Sequence, residues 1–148
     1  MKEILPQAQV ECESIERPRK LERSCCFGCC PENPRGLKLD FREDESGKMA
    51  AQWLPEEDFE GFLGRAHGGI VGAVLDEAMA KAVAATGADA LTAEMRVRYR
   101  KEVPTGVPVL VRGWIEGRKR RIFRTEASLT GPDGSELAHA WATFLELK

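Results

Sequence analysis

From residue 37 onward the chain shifts between two hydrophobic rhythms. Leu37, Leu39 and Phe41 are separated by polar partners, the period-two pattern of a half-buried strand, and a second strand is expected at about 48–54. Residues 55–66, rich in glycine and acid, read as a loop. The segment from about 69 to 86 is Ala- and Val-rich with few polar positions, which predicts a buried helix. Gly87 stands where a C′ residue ends such a helix. Four long strand-like runs fill the remainder, at about 91–102, 107–117, 120–131 and 135–147. Pro104-Thr105-Gly106 and Gly131-Pro132-Asp133-Gly134 carry turn chemistry between them, and Gly117-Arg118-Lys119 stands where a third turn belongs.

The resulting order, β-β-α-β-β-β-β, predicts an α+β domain in which an antiparallel sheet wraps around one helix, since a helix apolar on nearly all sides must be covered. Ala138, Ala140, Ala142 and Phe144 share one face of the last strand, and the small side chains there allow close approach of the helix. At 148 residues and 43% hydrophobic, the chain is expected to form one domain over residues 25–148. Residues 1–24 are charged, lack sustained periodicity and contain Pro6 and Pro18, as expected of a loosely held arm.

Charge and composition narrow the partners. Twenty-two basic against twenty-four acidic residues give a formal charge of -2, which supplies no global field for nucleic acid or an anionic membrane. No apolar run has membrane-spanning length, and the first residues lack the apolar core of a signal peptide, so a cytoplasmic protein is expected. Of the cysteines Cys12, Cys25, Cys26, Cys29 and Cys30, four cluster in Cys25-Cys26-Phe27-Gly28-Cys29-Cys30. Structural zinc sites usually draw ligand pairs from separated segments, and neither His67 nor His139 is near in sequence, so no metal is expected. The odd count argues against a disulfide framework; the expectation is a reduced, packed turn.

Candidate chemistry concentrates in His67-Gly68-Gly69-Ile70-Val71-Gly72-Ala73-Val74-Leu75-Asp76. Amide groups at a helix N-terminus have no intrahelical acceptor, and the helix dipole favours negative charge there. Two glycines allow a substrate carbonyl to approach them. On a helical wheel Asp76 shares its stripe with Gly69, Gly72, Ala73, Met79, Ala80 and Val83, so its carboxylate must face a cavity or have strong partners. Glu77, by contrast, has Lys81 four residues on and is expected to pair with it on a solvated line. His67 is expected to fix the loop rather than transfer protons, and His139 to be structural. Neither a nucleotide-phosphate loop, a dinucleotide fingerprint nor a nucleophilic serine elbow is present.

The segment His67–Asp76, continuing as Glu77-Ala78-Met79, resembles the motif of hotdog-fold acyl-CoA thioesterases, in the branch that includes the phenylacetic-acid-pathway enzymes. Cys26-Phe27-Gly28-Cys29 followed by Asn33-Pro34-x-Gly36-Leu37 resembles the N-terminal signature of many bacterial members. The likeness spans roughly residues 25–147 and implies the hotdog fold and hydrolysis of an acyl-CoA to free acid and CoA. It implies that Asp76 acts as general base or nucleophile, that the Gly69 region with Gly68 beside it forms the oxyanion site, and that His67 borders the pocket. Thr92 falls on a hydroxyl residue that reaches the water from a partner subunit, and Gly61 on a position where some relatives carry Asn or Gln. Strand alternation, however, groups Thr92 with Glu94, Arg96, Arg98 and Arg100, opposite Leu91, Ala93, Met95, Val97 and Tyr99.

A homodimer or dimer of dimers is implied, with no cofactor beyond the coenzyme A of the substrate. The basic run Arg118-Lys119-Arg120-Arg121 is the expected contact for the CoA phosphates. Two rival functions are a non-catalytic acyl-CoA sensor and a hotdog hydratase or dehydratase. The latter usually pairs an aspartate with a histidine a few residues away, and Asp76 has none at such spacing.

Overall fold

A computed structural model describes residues 25–148, and the expected arm, residues 1–24, lies outside the described residues. The elements are β1 (Arg42–Glu43), β2 (Met49–Trp53), a 3-10 turn (Glu57–Phe59), β3 (Glu60–Phe62), β4 (Arg65–Ala66), α1 (Gly68–Ala84), β5 (Ala90–Tyr99), β6 (Val109–Lys119), β7 (Ile122–Thr130) and β8 (Glu136–Glu146). Six strands form one antiparallel sheet in the order β1-β2-β6-β7-β8-β5, while β3 and β4 make a separate hairpin.

The sheet curls around α1, the hotdog arrangement. Val71, Val74, Leu75, Ala78, Met79 and Val83 of the helix are buried against Val109, Val111, Phe123, Ala127, Leu129 and the β8 face Ala138, Ala140, Ala142 and Phe144. Closest approach is at Gly113 in β6, where a Cβ would collide with the backbone carbonyl of Ala78. Glycine is therefore the side chain that lets this helix seat on this sheet.

Four expectations about elements are corrected. Residues 37–41 do not join the sheet as a strand; Leu37 and Leu39 are buried, but their amides donate to Phe27 O and Gly28 O, at 2.7 and 3.0 Å, and Lys38 has φ 53°. Asn33 steers the preceding turn: its side chain bonds the Cys25 carbonyl and the Arg35 amide, so local polar capture wins over strand pairing. The loop at 55–66 contains the β3–β4 hairpin, turning at Gly64 with φ 75°. The third turn lies beyond Gly117: β6 continues to Lys119, which pairs with Ile122, and Arg120 takes φ 56° in a two-residue turn.

The fourth correction concerns the cysteines. Cys25 and Cys30 form a disulfide with Cα atoms 5.1 Å apart, whereas Cys26 and Cys29 are free thiols. The tight turn, closed by Cys30 N–H to Cys26 O at 3.0 Å, brings the outer pair together and directs the inner pair at the helix. Glu77 is accordingly not on a solvated line. Its carboxylate does pair with Lys81 at 3.6 Å, but beneath the cysteine turn, with 15% of the Glu77 side chain exposed.

Candidate active site

The helix entrance is built by the β3–β4 hairpin. His67 N–H bonds Phe59 O at 2.7 Å, and the residue caps α1, its Nδ1 accepting from Gly69 N–H at 2.9 Å. Gly61 sits against this imidazole; a Cβ would lie 3.2 Å from His67 Cα and 3.3 Å from Cδ2. A side chain at 61 would thus require His67 to give by a few tenths of an ångström. Ile70 and Val71 amides both donate to His67 O.

These bonds redistribute the donors. The Gly69 amide is spent on His67, whereas the Gly68 amide, the first in the helix, has no acceptor among the described residues. The free donor thus sits one residue earlier than the Gly69 position expected from the motif. Tyr99, which the sequence reading did not single out, donates its hydroxyl to Gly68 O at 2.6 Å and lies over Gly68 and Gly72. Burial raises the Tyr99 pKa, keeping that hydroxyl protonated. A groove of about 390 Å³ runs beside Gly68, lined by Phe62, Val71, Tyr99 and Val103 among others.

Two turns further along, Asp76 meets Thr92 in the same chain, Oγ1 donating to Oδ1 at 2.7 Å. Simple alternation would have turned Thr92 away from the helix. A bulge at Ala93 reverses the phase: Thr92 lies opposite Phe144, yet the next pairs are Glu94 with Thr143 and Met95 with Ala142. Thr92 therefore shares the helix-facing side with Met95, Val97 and Tyr99. It needs no partner subunit to reach Asp76. Burial raises the Asp76 pKa above the usual carboxylate value; the Thr92 bond pulls it down, and the negative charge of Glu77 adds to the rise.

The basic run is divided by its contacts. Arg118 bonds Glu146 at 2.7 Å and stacks over Phe123, and Arg121 donates twice to Glu146 O. Lys119 and Arg120 have no ion-pair partner among the described residues. Register places this turn at the Thr92 end of the sheet, since Ile122 lies opposite Leu145 and Leu145 opposite Leu91. His139 is on the outer face between Trp114 and Trp141, with its ring nitrogens 2.7 and 3.2 Å from Glu126 and Glu136. It does not face Asp76.

A helix enclosed by an antiparallel sheet defines the hotdog fold, and this one carries a free N-terminal amide and an acid–hydroxyl pair beside the helix. The thioesterase superfamily model matches residues 63–138, just over half of the sequence, and the chain belongs to that superfamily. No curated protein matches the sequence. One solved thioesterase superfamily protein is similar over 78% of this chain, with 23% identity and TM-score 0.74; this chain spans only 57% of that protein's length. A phenylacetic acid degradation-related protein of Ralstonia eutropha is 27% identical over 74% of this chain and 85% of its own, with TM-score 0.66. A hypothetical thioesterase protein of Streptococcus pneumoniae, solved with coenzyme A, is 17% identical over 74% of this chain and 85% of its own, with TM-score 0.69. That protein was also solved as an aspartate-to-alanine and as a threonine-to-alanine variant.

Proposed function

We propose that this protein hydrolyses an acyl-CoA thioester, with Asp76 as general base, Thr92 holding its carboxylate and the Gly68 amide binding the carbonyl oxygen. The observation that carries the reading is the 2.7 Å bond between Thr92 and Asp76. The two residues are sixteen positions apart, the same separation as the aspartate and threonine exchanged in the S. pneumoniae protein. Its coenzyme A complex supports coenzyme A as the carrier group here.

With these roles, helix geometry favours a site completed by a second copy. Gly68 and Asp76 lie eight residues apart on α1, about 12 Å along the axis at 1.5 Å per residue, whereas a carbonyl and its attacking water are about 3 Å apart. One site therefore combines Gly68 of one protomer with the Asp76–Thr92 pair of its partner, and a two-fold axis makes two such sites. The carbonyl oxygen accepts from Gly68 N–H at the positive end of the helix dipole, where charge develops in the tetrahedral intermediate. Asp76 removes a proton from water as it attacks, and collapse expels the CoA thiolate, which takes up the proton. Lys119 and Arg120, the unengaged cations of the β6–β7 turn, are assigned to the CoA phosphates.

Release of free thiol from a panel of short, medium and aromatic acyl-CoAs tests this reading. General-base assistance is worth about 10² to 10⁴ in rate, so Asp76→Asn is expected to lower turnover at least tenfold with the fold retained. Wild-type turnover in that variant, or acyl-CoA binding without thiol release in the wild type, would overturn it. The second result identifies a sensor.

A further inference from the structure

The cysteine turn closes over a face of α1 that the thioester site does not use. Cys26 Sγ lies 3.8 Å from both carboxylate oxygens of Glu77, and one ligand atom each from Cys26, Cys29 and Glu77 can be chosen with all three within 4.8 Å of one another. All three side chains are half-buried. We propose that Cys26, Cys29 and Glu77 form a binding site for one divalent metal ion, with zinc as the ion that fits.

Geometry and donor chemistry both support that choice. Zinc–sulfur bonds of about 2.3 Å and zinc–oxygen bonds of about 2.0 Å make the sulfur–oxygen edge of a tetrahedron about 3.5 Å, close to the observed 3.8 Å. Two thiolates with one carboxylate suit a borderline-soft ion; calcium and magnesium require oxygen donors, and iron–sulfur clusters require more cysteines. Cys26 and Cys29 have the two-residue spacing of a metal-binding turn, and Gly28 N–H donates to Cys26 Sγ at 3.3 Å, stabilising negative charge on that sulfur. Gly28 is buried against Glu77, and a Cβ there would overlap its carboxyl group, so glycine allows the turn to descend onto the third ligand. Charge also balances. Two thiolates and Glu77 carry three negative charges, which a divalent ion and Lys81, 3.6 Å from Glu77, cancel. With three protein ligands the fourth position is left to water.

Bound metal would fasten the segment that carries Leu37 and Leu39 onto α1, one residue from Asp76. The test uses the full chain, stripped with chelator under reductant and titrated with Co²⁺. One equivalent should produce the visible bands of tetrahedral cobalt with near-ultraviolet thiolate charge transfer, and one equivalent of Zn²⁺ should abolish both. Cys25→Ser/Cys30→Ser should retain the spectrum, whereas Cys26→Ser/Cys29→Ser should lose it with far-ultraviolet circular dichroism unchanged. Outer partners of ligands alone contribute about 10 to 100-fold in metal affinity, so Glu77→Gln should weaken Co²⁺ binding by tenfold or more. The proposal fails if no charge transfer develops, if the spectrum survives Cys26→Ser/Cys29→Ser, or if Glu77→Gln binds Co²⁺ as the wild type does.

Discussion

Asp76 and Thr92 show how one side-chain contact opposes the effect of burial on an acid. A carboxylate serves as base only when ionised, so with Asp76 in the proposed role activity should be present above its pKa and lost as pH falls through it. Because burial lifts that pKa above the ordinary value of 3.8, the acid limb of kcat/KM should lie above the range of a solvated aspartate. Thr92 opposes the rise by donating to the charged form. Thr92→Val should therefore move the acid limb to higher pH, read from pH profiles of thiol release; an unmoved or lowered limb would contradict the pairing. At this scale Asp76 was legible because a lone acid on an apolar stripe requires an explanation. The free amide was not, since His67 Nδ1 takes the Gly69 donor through a cap that only backbone geometry reveals.

At the scale of elements, the tightest constraint is the crossing of α1 over β6. A methyl group at 113 meets the backbone at Ala78, which cannot rotate away as a flexible side chain does. Gly113→Ala should cost about 3 kcal/mol or more, beyond the usual range for inserting one methyl into a packed core, measured as a lowered midpoint in urea denaturation. An unchanged midpoint would mean that the helix sits farther from the sheet. The long elements were readable because their apolar periods persist over many residues. The short ones were not: β3 and β4 span three and two residues, and residues 37–41 have strand periodicity but spend their amides on the cysteine turn. The bulge at Ala93 likewise leaves no mark in a pattern read by alternation, yet it decides which face Thr92 occupies.

For the whole molecule, the sheet ends in β5, ten residues long and paired on one side with β8. Leu91, Met95 and Tyr99 remain 51%, 37% and 52% exposed along it, and a long apolar edge is a template for another strand. The protein should sediment at twice its 16.4 kDa mass, and Met95→Glu should shift it toward monomer with loss of thioester hydrolysis, read by analytical ultracentrifugation beside the thiol assay. A monomer with full activity would exclude a site shared between protomers.

The sequence by itself determined the helix, the long strands, the antiparallel wrap and Asp76 as the acid to watch, because periodicity, turn chemistry and the cost of burying a charge are local properties. Tertiary structure decided the pairings between distant residues: Thr92 with Asp76, Gly61 with His67, Gly113 with Ala78, and the cysteine turn with Glu77. Each depends on a register, a bulge or a close approach fixed by the packed chain as a whole. That is why a glutamate expected on a solvated helix face lies under two thiols.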